Sequence, residues 1–285
     1  MAPQQWLITG ASSGLGAIMA ELALKQGHKV ICTARDPTKA REQYPEIEKL
    51  GGTWIQLDVT SSETTKRIED AIREADGKID VVVNNAGYSL LGSIEDMSES
   101  EISNQFNTNV YGPVRVLKGA LPFMRAQKSG TVVNISSSAG IDGVPTCAMY
   151  AGSKFALEGM SESLSKELAP FGIRVLLVEP GSLRTPFWTS FVSPAAGMNK
   201  DYAGTPLEDV LKKFGSRESN QPGDPFKTAQ RIVEVVTGTG MGVGKESLFR
   251  LPLGSDCYRR LQTKIDGMQR DLKEAEEISH STAYE

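Results

Sequence analysis

The sequence predicts an α/β protein: one domain built on a doubly wound parallel sheet of about seven strands, with helices on both faces. Three observations predict it. Short β-rich apolar segments recur along the 285 residues, the stretches between them are long enough for helices, and several segments are apolar without alternation. Strands covered on both faces read in that way, and the strand-helix rhythm selects parallel pairing. No repeat period or low-complexity linker interrupts the pattern, so residues 1–285 read as a single domain.

The first strand covers Trp6 to Thr9 and runs into Gly10-Ala11-Ser12-Ser13-Gly14-Leu15-Gly16, which opens a helix near Leu15. Glycines there let the backbone approach an anion, and a helix N-terminus offers it free amides and a positive dipole end. The spacing differs from the usual G-x-G-x-x-G, and the segment by itself also fits an ordinary turn. The second strand, Lys29 to Ala34, ends at Arg35-Asp36-Pro37, and the third, Thr53 to Leu57, ends at Asp58 and Val59. The fourth, Asp80 to Val83, ends at Asn84-Asn85-Ala86-Gly87. Polar and glycine residues thus gather at the carboxyl ends of strands, where open α/β sheets take ligands.

A helix is expected from Glu99 to about Gln127, with Pro113 four residues after Asn109. Proline has no N–H, so the Asn109 carbonyl would lose its helical partner, as it also would at an ordinary proline kink. The fifth strand, Thr131 to Ile135, leads into Ser136-Ser137-Ser138, and Tyr150-Ala151-Gly152-Ser153-Lys154 starts a helix to about Ala169. Residues at i and i+4 share a helix face, which can bring the Lys154 ammonium near the Tyr150 phenol. The sixth strand, Arg174 to Val178, precedes Pro180-Gly181-Ser182-Leu183-Arg184-Thr185. A loop-rich insertion over about 186–225 follows; its Phe187, Trp188, Phe191 and Tyr202 suit a lid. A seventh strand is expected at Ser247 to Leu251, then a helical extension over about 255–285. There Tyr258, Leu261, Ile265, Met268 and Leu272 form one apolar face, expected to pack on the protein's own domain, with an oligomer contact as the alternative.

Composition removes several function classes. With 31 Lys and Arg against 35 Asp and Glu, the net charge of -4 lacks the basic footprint of a nucleic-acid binder. Apolar runs fall far below the ~20 residues of a membrane span, and the opening residues do not read as a secretory signal. The three cysteines, Cys32, Cys147 and Cys257, are odd in number and scattered, which suits a reducing, cytoplasmic setting and buried thiols. Only His28 and His280 are present, too few for a histidine-based metal site, so no metal is expected. The same scarcity disfavours reading Gly10 to Gly14 as a hydrolase elbow with Ser12 as nucleophile. A proton donor must come from elsewhere.

Thr9 with its glycines, Asp58, Asn84 to Gly87, Asn109, Ser137, Tyr150, Lys154, Pro180-Gly181 and Thr185 stand in one order over residues 5 to about 186. In that order the chain resembles the classical short-chain dehydrogenase/reductase family. The resemblance implies a Rossmann fold and a catalytic set of Asn109, Ser137, Tyr150 and Lys154. For the cofactor it implies Gly10, Ser12, Ser13, Gly14, Leu15, Gly16, Arg35, Asp58, Val59, Asn85, Ala86, Gly87, Asn109, Tyr150, Lys154, Pro180, Gly181 and Thr185. Ser137, Tyr150, Phe187, Trp188 and Phe191 would meet the substrate.

NAD-using relatives resemble one another in an acidic residue at the position of Ala34; here it is neutral and Arg35 follows, so NADP(H) is expected over NAD(H). Asp36, one residue on, could still take the ribose. The expected reaction is hydride transfer to or from a carbonyl or alcohol group of a small, hydrophobic organic molecule. A non-catalytic nucleotide sensor or scaffold of the same fold is the alternative. The family also implies a homodimer or homotetramer paired through the two long helices. Arg250-Leu251-Pro252-Leu253-Gly254 resembles the hydroxysteroid- and retinol-dehydrogenase-like subgroup.

Overall fold

Alternation along each strand divides the interior in two. Trp6 and Ile8, Val81 and Val83, and Leu176 and Val178 join one apolar cluster, while Leu7, Val82 and Val175 join another. Both clusters are sealed from solvent, so the sheet between them is covered on both sides, as a continuous apolar strand requires. The computed structural model describes residues 2–188, 190–215 and 220–284.

Seven parallel strands form that sheet: β1 (Gln5–Ile8), β2 (Lys29–Ala34), β3 (Thr53–Gln56), β4 (Val81–Asn84), β5 (Gly130–Ile135), β6 (Ile173–Pro180) and β7 (Arg250–Leu253). Their order is β3-β2-β1-β4-β5-β6-β7, a Rossmann-type doubly wound sheet. The chain builds outward from β1 to β3, then crosses back and builds outward from β4. The crevice between β1 and β4 at their carboxyl ends is therefore the switch point at which such sheets take ligands.

Helices α1 (Gly14–Lys25), α2 (Pro37–Gln43), α3 (Pro45–Lys49) and α4 (Thr64–Glu74) lie in the first half of the chain. The second half carries α5 (Glu99–Phe106), α6 (Gly112–Gln127), α7 (Ala148–Leu168), α8 (Pro206–Gly215), α9 (Pro225–Thr237), α10 (Ser255–Glu274) and α11 (Glu276–His280). One face packs α1 beside α9, the other α4 beside α6. No described helix is long and apolar enough to cross a membrane. All three cysteines are free and buried.

Four details depart from the sequence reading. The segment expected as one helix from Glu99 to Gln127 is α5 and α6 joined by a wide π-helical turn, Asn107–Tyr111, in which the Gly112 amide reaches back to the Asn107 carbonyl. Widening by one residue accommodates Pro113, whose missing N–H an α-helical ladder would need. The insertion is more ordered than expected, since α8 lies within it. Strand β7 starts three residues late, because the Leu248 amide turns back to Lys245 and Arg174 donates to the carbonyls of Lys245 and Leu248. The C-terminal extension does not pack on its own domain along its length: within α10 only Cys257 is buried, and Tyr258, Ile265, Met268 and Leu272 are exposed.

Candidate active site

A cleft of about 980 Å³ opens along the carboxyl ends of the strands. Its first wall is made by backbone. Gly10 sits at φ +64° and Gly14 at φ +51°, both in the left-handed region that side chains avoid. A Cβ on Gly16 would lie 2.5 Å from Asn85 Nδ2 and 2.6 Å from the Gly10 carbonyl, so only glycine lets α1 approach this closely. The amides of Asn85 and Ala86 both donate to Thr9 Oγ1 at 3.0 Å, and Asn85 Nδ2 donates to the carbonyls of Thr9 and Gly10. These bonds tie the end of β4 to the end of β1.

The helix that begins there is uncapped. Ser13 makes no side-chain bond to the first-turn amides of α1, and no acidic residue stands in that turn. Free amides at a helix N-terminus with no competing carboxylate suit a diphosphate, and this donor set fits a dinucleotide cofactor. Arg35 lines the cleft at the end of β2, whereas Asp36 is engaged elsewhere: its side chain accepts from the Lys39 amide as the N-cap of α2. Asp58 accepts from the Thr60 amide and hydroxyl at 2.9 and 2.7 Å. Burial works to raise its pKa, but those bonds outweigh it with help from Arg35 and hold the carboxyl below the usual range.

Farther along, Ser137, Tyr150 and Lys154 line the same cleft. Ser137 follows β5 and caps a short 3₁₀ turn, accepting from the Ala139 amide at 3.1 Å. Tyr150 and Lys154 lie in the first two turns of α7, both buried. Burial pushes the phenol up to about 12, resisted by a hydrogen bond with Ser137. Burial also brings Lys154 down to about 8, resisted by the charge of Glu158. The Lys154 ammonium donates to the Ile135 carbonyl at 2.8 Å and lies 6.0 Å from the centroid of the Tyr150 ring. Lysine and tyrosine are thus neighbours, with the ammonium anchored on β5.

Of the remaining residues singled out in the sequence, Ser12, Leu15, Val59, Gly87, Pro180, Gly181, Thr185 and Phe187 also line the cleft. Gly16 lies behind it, under the β1 turn. Asn109 is set behind the Gly87 wall, where its amide donates to the Tyr88 carbonyl and to Ser153 Oγ at 3.0 Å each. Ser153 Oγ in turn donates to the Tyr150 carbonyl at 2.7 Å, so Asn109 fixes the start of α7. Phe187 stands 5.9 Å from the Tyr150 ring, centroid to centroid. Phe191 does not line the cleft; it packs edge-on to Phe214, in the small apolar cluster that also holds Tyr150. The Trp188 side chain falls outside the described residues.

Several residues of the site carried no sequence signal. Val210 and Phe214 from α8, Val144, Cys147 and Val192 complete the apolar end, and Arg260 reaches it from α10. Arg260 is held by Asp142 at 2.9 Å and donates to Ser138 Oγ at 3.0 Å. Beneath Lys154 lies a buried ionic knot: Arg250 bonds Glu158 at 2.7 Å and also Glu179, and Ser136 Oγ donates to Glu158 at 2.7 Å. Burial raises both carboxyls, Glu179 to about 7 with the charge of Glu158 adding to the effect. Arg250 was visible only as part of a family motif; its task needed the fold to appear. No group of residues that could hold a metal ion occurs among the described residues.

Residues 4–195 match the family described as short chain dehydrogenase. Oxidoreductase claN of Passalora fulva is 49% identical over 73% of this chain and 94% of its own length. Human retinol dehydrogenase 8 is 43% identical over 87% of this chain and 83% of its own. The crystal structure of a short-chain dehydrogenase from Streptomyces avermitilis superposes with a TM-score of 0.85 at 36% identity, covering 99% of this chain and 100% of that one. Solved structures of this fold hold NAD in one case and NADP in another.

Proposed function

The chain belongs to the short-chain dehydrogenase family, and from that premise we propose that it is an NADP(H)-dependent oxidoreductase acting on the carbonyl or alcohol group of a small, hydrophobic organic molecule. Oxidoreductase chemistry with a nicotinamide cofactor follows from the family. One observation carries the rest: Ser137, Tyr150 and Lys154 share a cleft with the uncapped N-terminus of α1.

A nicotinamide bound in that cleft supplies or accepts the hydride. The residues do the remainder. Amides at Gly14 and Leu15 hold the diphosphate, Asp58 and Val59 border the adenine end, and Pro180, Gly181 and Thr185 face the nicotinamide end. In reduction Tyr150 gives its phenolic proton to the substrate oxygen. A phenol raised by burial is fully protonated at neutral pH, the form this direction needs. In oxidation the same phenol must first lose that proton, so the oxidative rate rises with pH. Ser137 donates to the substrate oxygen as negative charge develops on it. Lys154, still mostly charged at pH 7, holds the ribose and favours the phenolate electrostatically. Asn109, acting through Ser153, positions Tyr150.

The choice of NADP(H) rests on Arg35, whose guanidinium can pair with a 2'-phosphate, and on Asp36 being occupied as a helix cap. The apolar residues about Phe187 support a bulky hydrophobic substrate.

Kinetics of ketone reduction with NADPH and with NADH, for wild type, Tyr150→Phe and Arg35→Ala, test the reading. Tyr150→Phe is expected to lower kcat by about 10²- to 10⁴-fold while cofactor affinity stays within about twofold. Arg35→Ala is expected to lower kcat/KM for NADPH about tenfold or more and to leave NADH unchanged. An unaltered kcat in Tyr150→Phe overturns the catalytic assignment, and a wild type that prefers NADH overturns the cofactor assignment.

A further inference from the structure

The exposed face of α10 has no counterpart in the rest of the fold. Tyr258 is 63% exposed, Met268 61% and Leu272 72%, and neither these nor Leu261 and Ile265 belong to any of the three apolar clusters. A free-standing helix of this length gains little stability in water without a partner for its apolar side. Tyr258, Leu261, Ile265, Met268, Leu272 and Ala275 alternate at steps of three and four, which are the inward positions of a seven-residue repeat over about 26 Å of helix.

We propose that α10 pairs antiparallel with α10 of a second copy of this chain, with Leu261 against Leu272 of the partner subunit and Ile265 against Met268 of the partner subunit. The same register sets Tyr258, the largest side chain of the stripe, against the partner's Ala275, the smallest. Two-fold symmetry repeats each layer, so one helix face is complementary to itself.

The flanking charges select this direction. In the antiparallel register Lys264 faces the partner's Asp271, and symmetry makes that pair twice. In a parallel pair Lys264 would instead face the partner's Gln269, and Asp271 the partner's Glu276, two like charges. Lys264 makes no ion pair among the described residues, and Asp271 meets only the neighbouring exposed Arg270 at 3.7 Å. Between Ser255 and His280 stand five Lys and Arg against six Asp and Glu. That balance gives no attraction to an anionic lipid surface, the other usual destination of an amphipathic helix. Arg260, bonded to Asp142 and Ser138, anchors the first turns of α10 to the body. The surface offered is therefore held in place before contact, which lowers the entropy lost on association.

Cysteine cross-linking of the full chain tests direction and register, because the native cysteines are all buried. Leu261→Cys and Leu272→Cys are prepared separately, then mixed under mild oxidation and read on a denaturing gel. The expected result is a disulfide-linked dimer in the mixture and none in either preparation alone, since identical positions lie about 16 Å apart along the axis. Cross-links within the separate preparations would mean parallel pairing and overturn the proposal, as would no cross-link anywhere. Sedimentation provides the second reading. Lys264→Asp is expected to weaken this association about tenfold at low salt, and Lys264→Asp with Asp271→Lys to restore it. Failure of the double variant to recover overturns the register. Binding of wild type to phosphatidylcholine–phosphatidylserine vesicles with loss of the mixed cross-link overturns the choice of partner.

Discussion

The two ends of the cleft are made by different means. At the end of β1 and β4 the wall is backbone: glycines in the left-handed region, an uncapped helix, and the hydrogen bonds of Thr9 and Asn85. Beyond Tyr150 it is side chains drawn from distant segments, with Val144, Phe187, Val192, Val210 and Phe214 among them. A backbone wall admits very few residue types at each position, whereas a side-chain wall asks only for volume and apolar character. The first end should therefore break under one added carbon, and the second should tolerate changes that merely retune what fits.

Within the backbone end, Gly16 is where an added carbon meets its closest neighbours. A Cβ there meets the Gly10 carbonyl, which cannot move without disturbing the turn, so Gly16→Val should push α1 away from β1. Overpacking of this kind costs about 1–3 kcal/mol, and the displaced amides should lose most of their cofactor affinity, read by fluorescence titration with NADPH. Gly27 provides the control. Its φ of +85° is also left-handed, but nothing lies within 4 Å of an added Cβ, so Gly27→Ala should cost about 1 kcal/mol of stability and leave cofactor binding intact. Equal loss of binding in both variants would mean that steric closeness at Gly16 is not what builds this end.

That contrast also explains what the sequence disclosed. The strands β1 to β6, the glycine turn and the start of α7 were legible because each depends on local pattern: apolar runs, turn residues, an i to i+4 pair. The π turn at Asn107–Tyr111 was half legible, since Pro113 announced a break in the ladder without saying how the helix would absorb it. Arg250, Glu158 and Glu179 were not legible as a unit, because 92 and 71 residues separate the partners and only the sheet brings them together. What covers the apolar face of α10 was open between the protein's own domain and an oligomer contact for a related reason: amphipathic spacing reveals that a face will be covered, not by what.

The ionic knot lies beneath Lys154 and should respond to pH. In the folded protein Glu158 and Glu179 titrate above the ordinary glutamate value, Glu179 at about 7. The folded state therefore binds these protons more tightly than the unfolded chain, and stability from this source is present below about pH 4.5 and is lost as pH rises through about 7. Arg250 limits that loss by pairing with the charged forms. Arg250→Met should leave both carboxylates without their guanidinium partner at pH 8 and cost about 2–3 kcal/mol there. That is less than the ~3–5 expected of a wholly buried pair, because a third of the Arg250 side chain reaches solvent. At pH 5 the carboxylates take up protons instead, and thermal melts should show a smaller deficit. A deficit of equal size at both pH values would mean that Arg250 matters for packing and not for charge.

The smallest effect is expected at Phe187, and it bears on whether the second end binds substrate at all. The ring is 39% exposed and stands 5.9 Å from that of Tyr150, so it contributes little to the core and much to what a ligand held at the phenol would touch. Removing one aromatic contact of this kind is worth about 0.5–1.5 kcal/mol, so Phe187→Ala should lower kcat/KM for an aromatic ketone about threefold to tenfold, chiefly through KM. A small aliphatic ketone, too short to reach the ring, should be reduced at the wild-type rate, and the melting temperature should hardly move. If both ketones lost the same factor in kcat, the ring would be orienting Tyr150 instead of meeting substrate. The side-chain end of the cleft would then be as exacting about its residues as the backbone end.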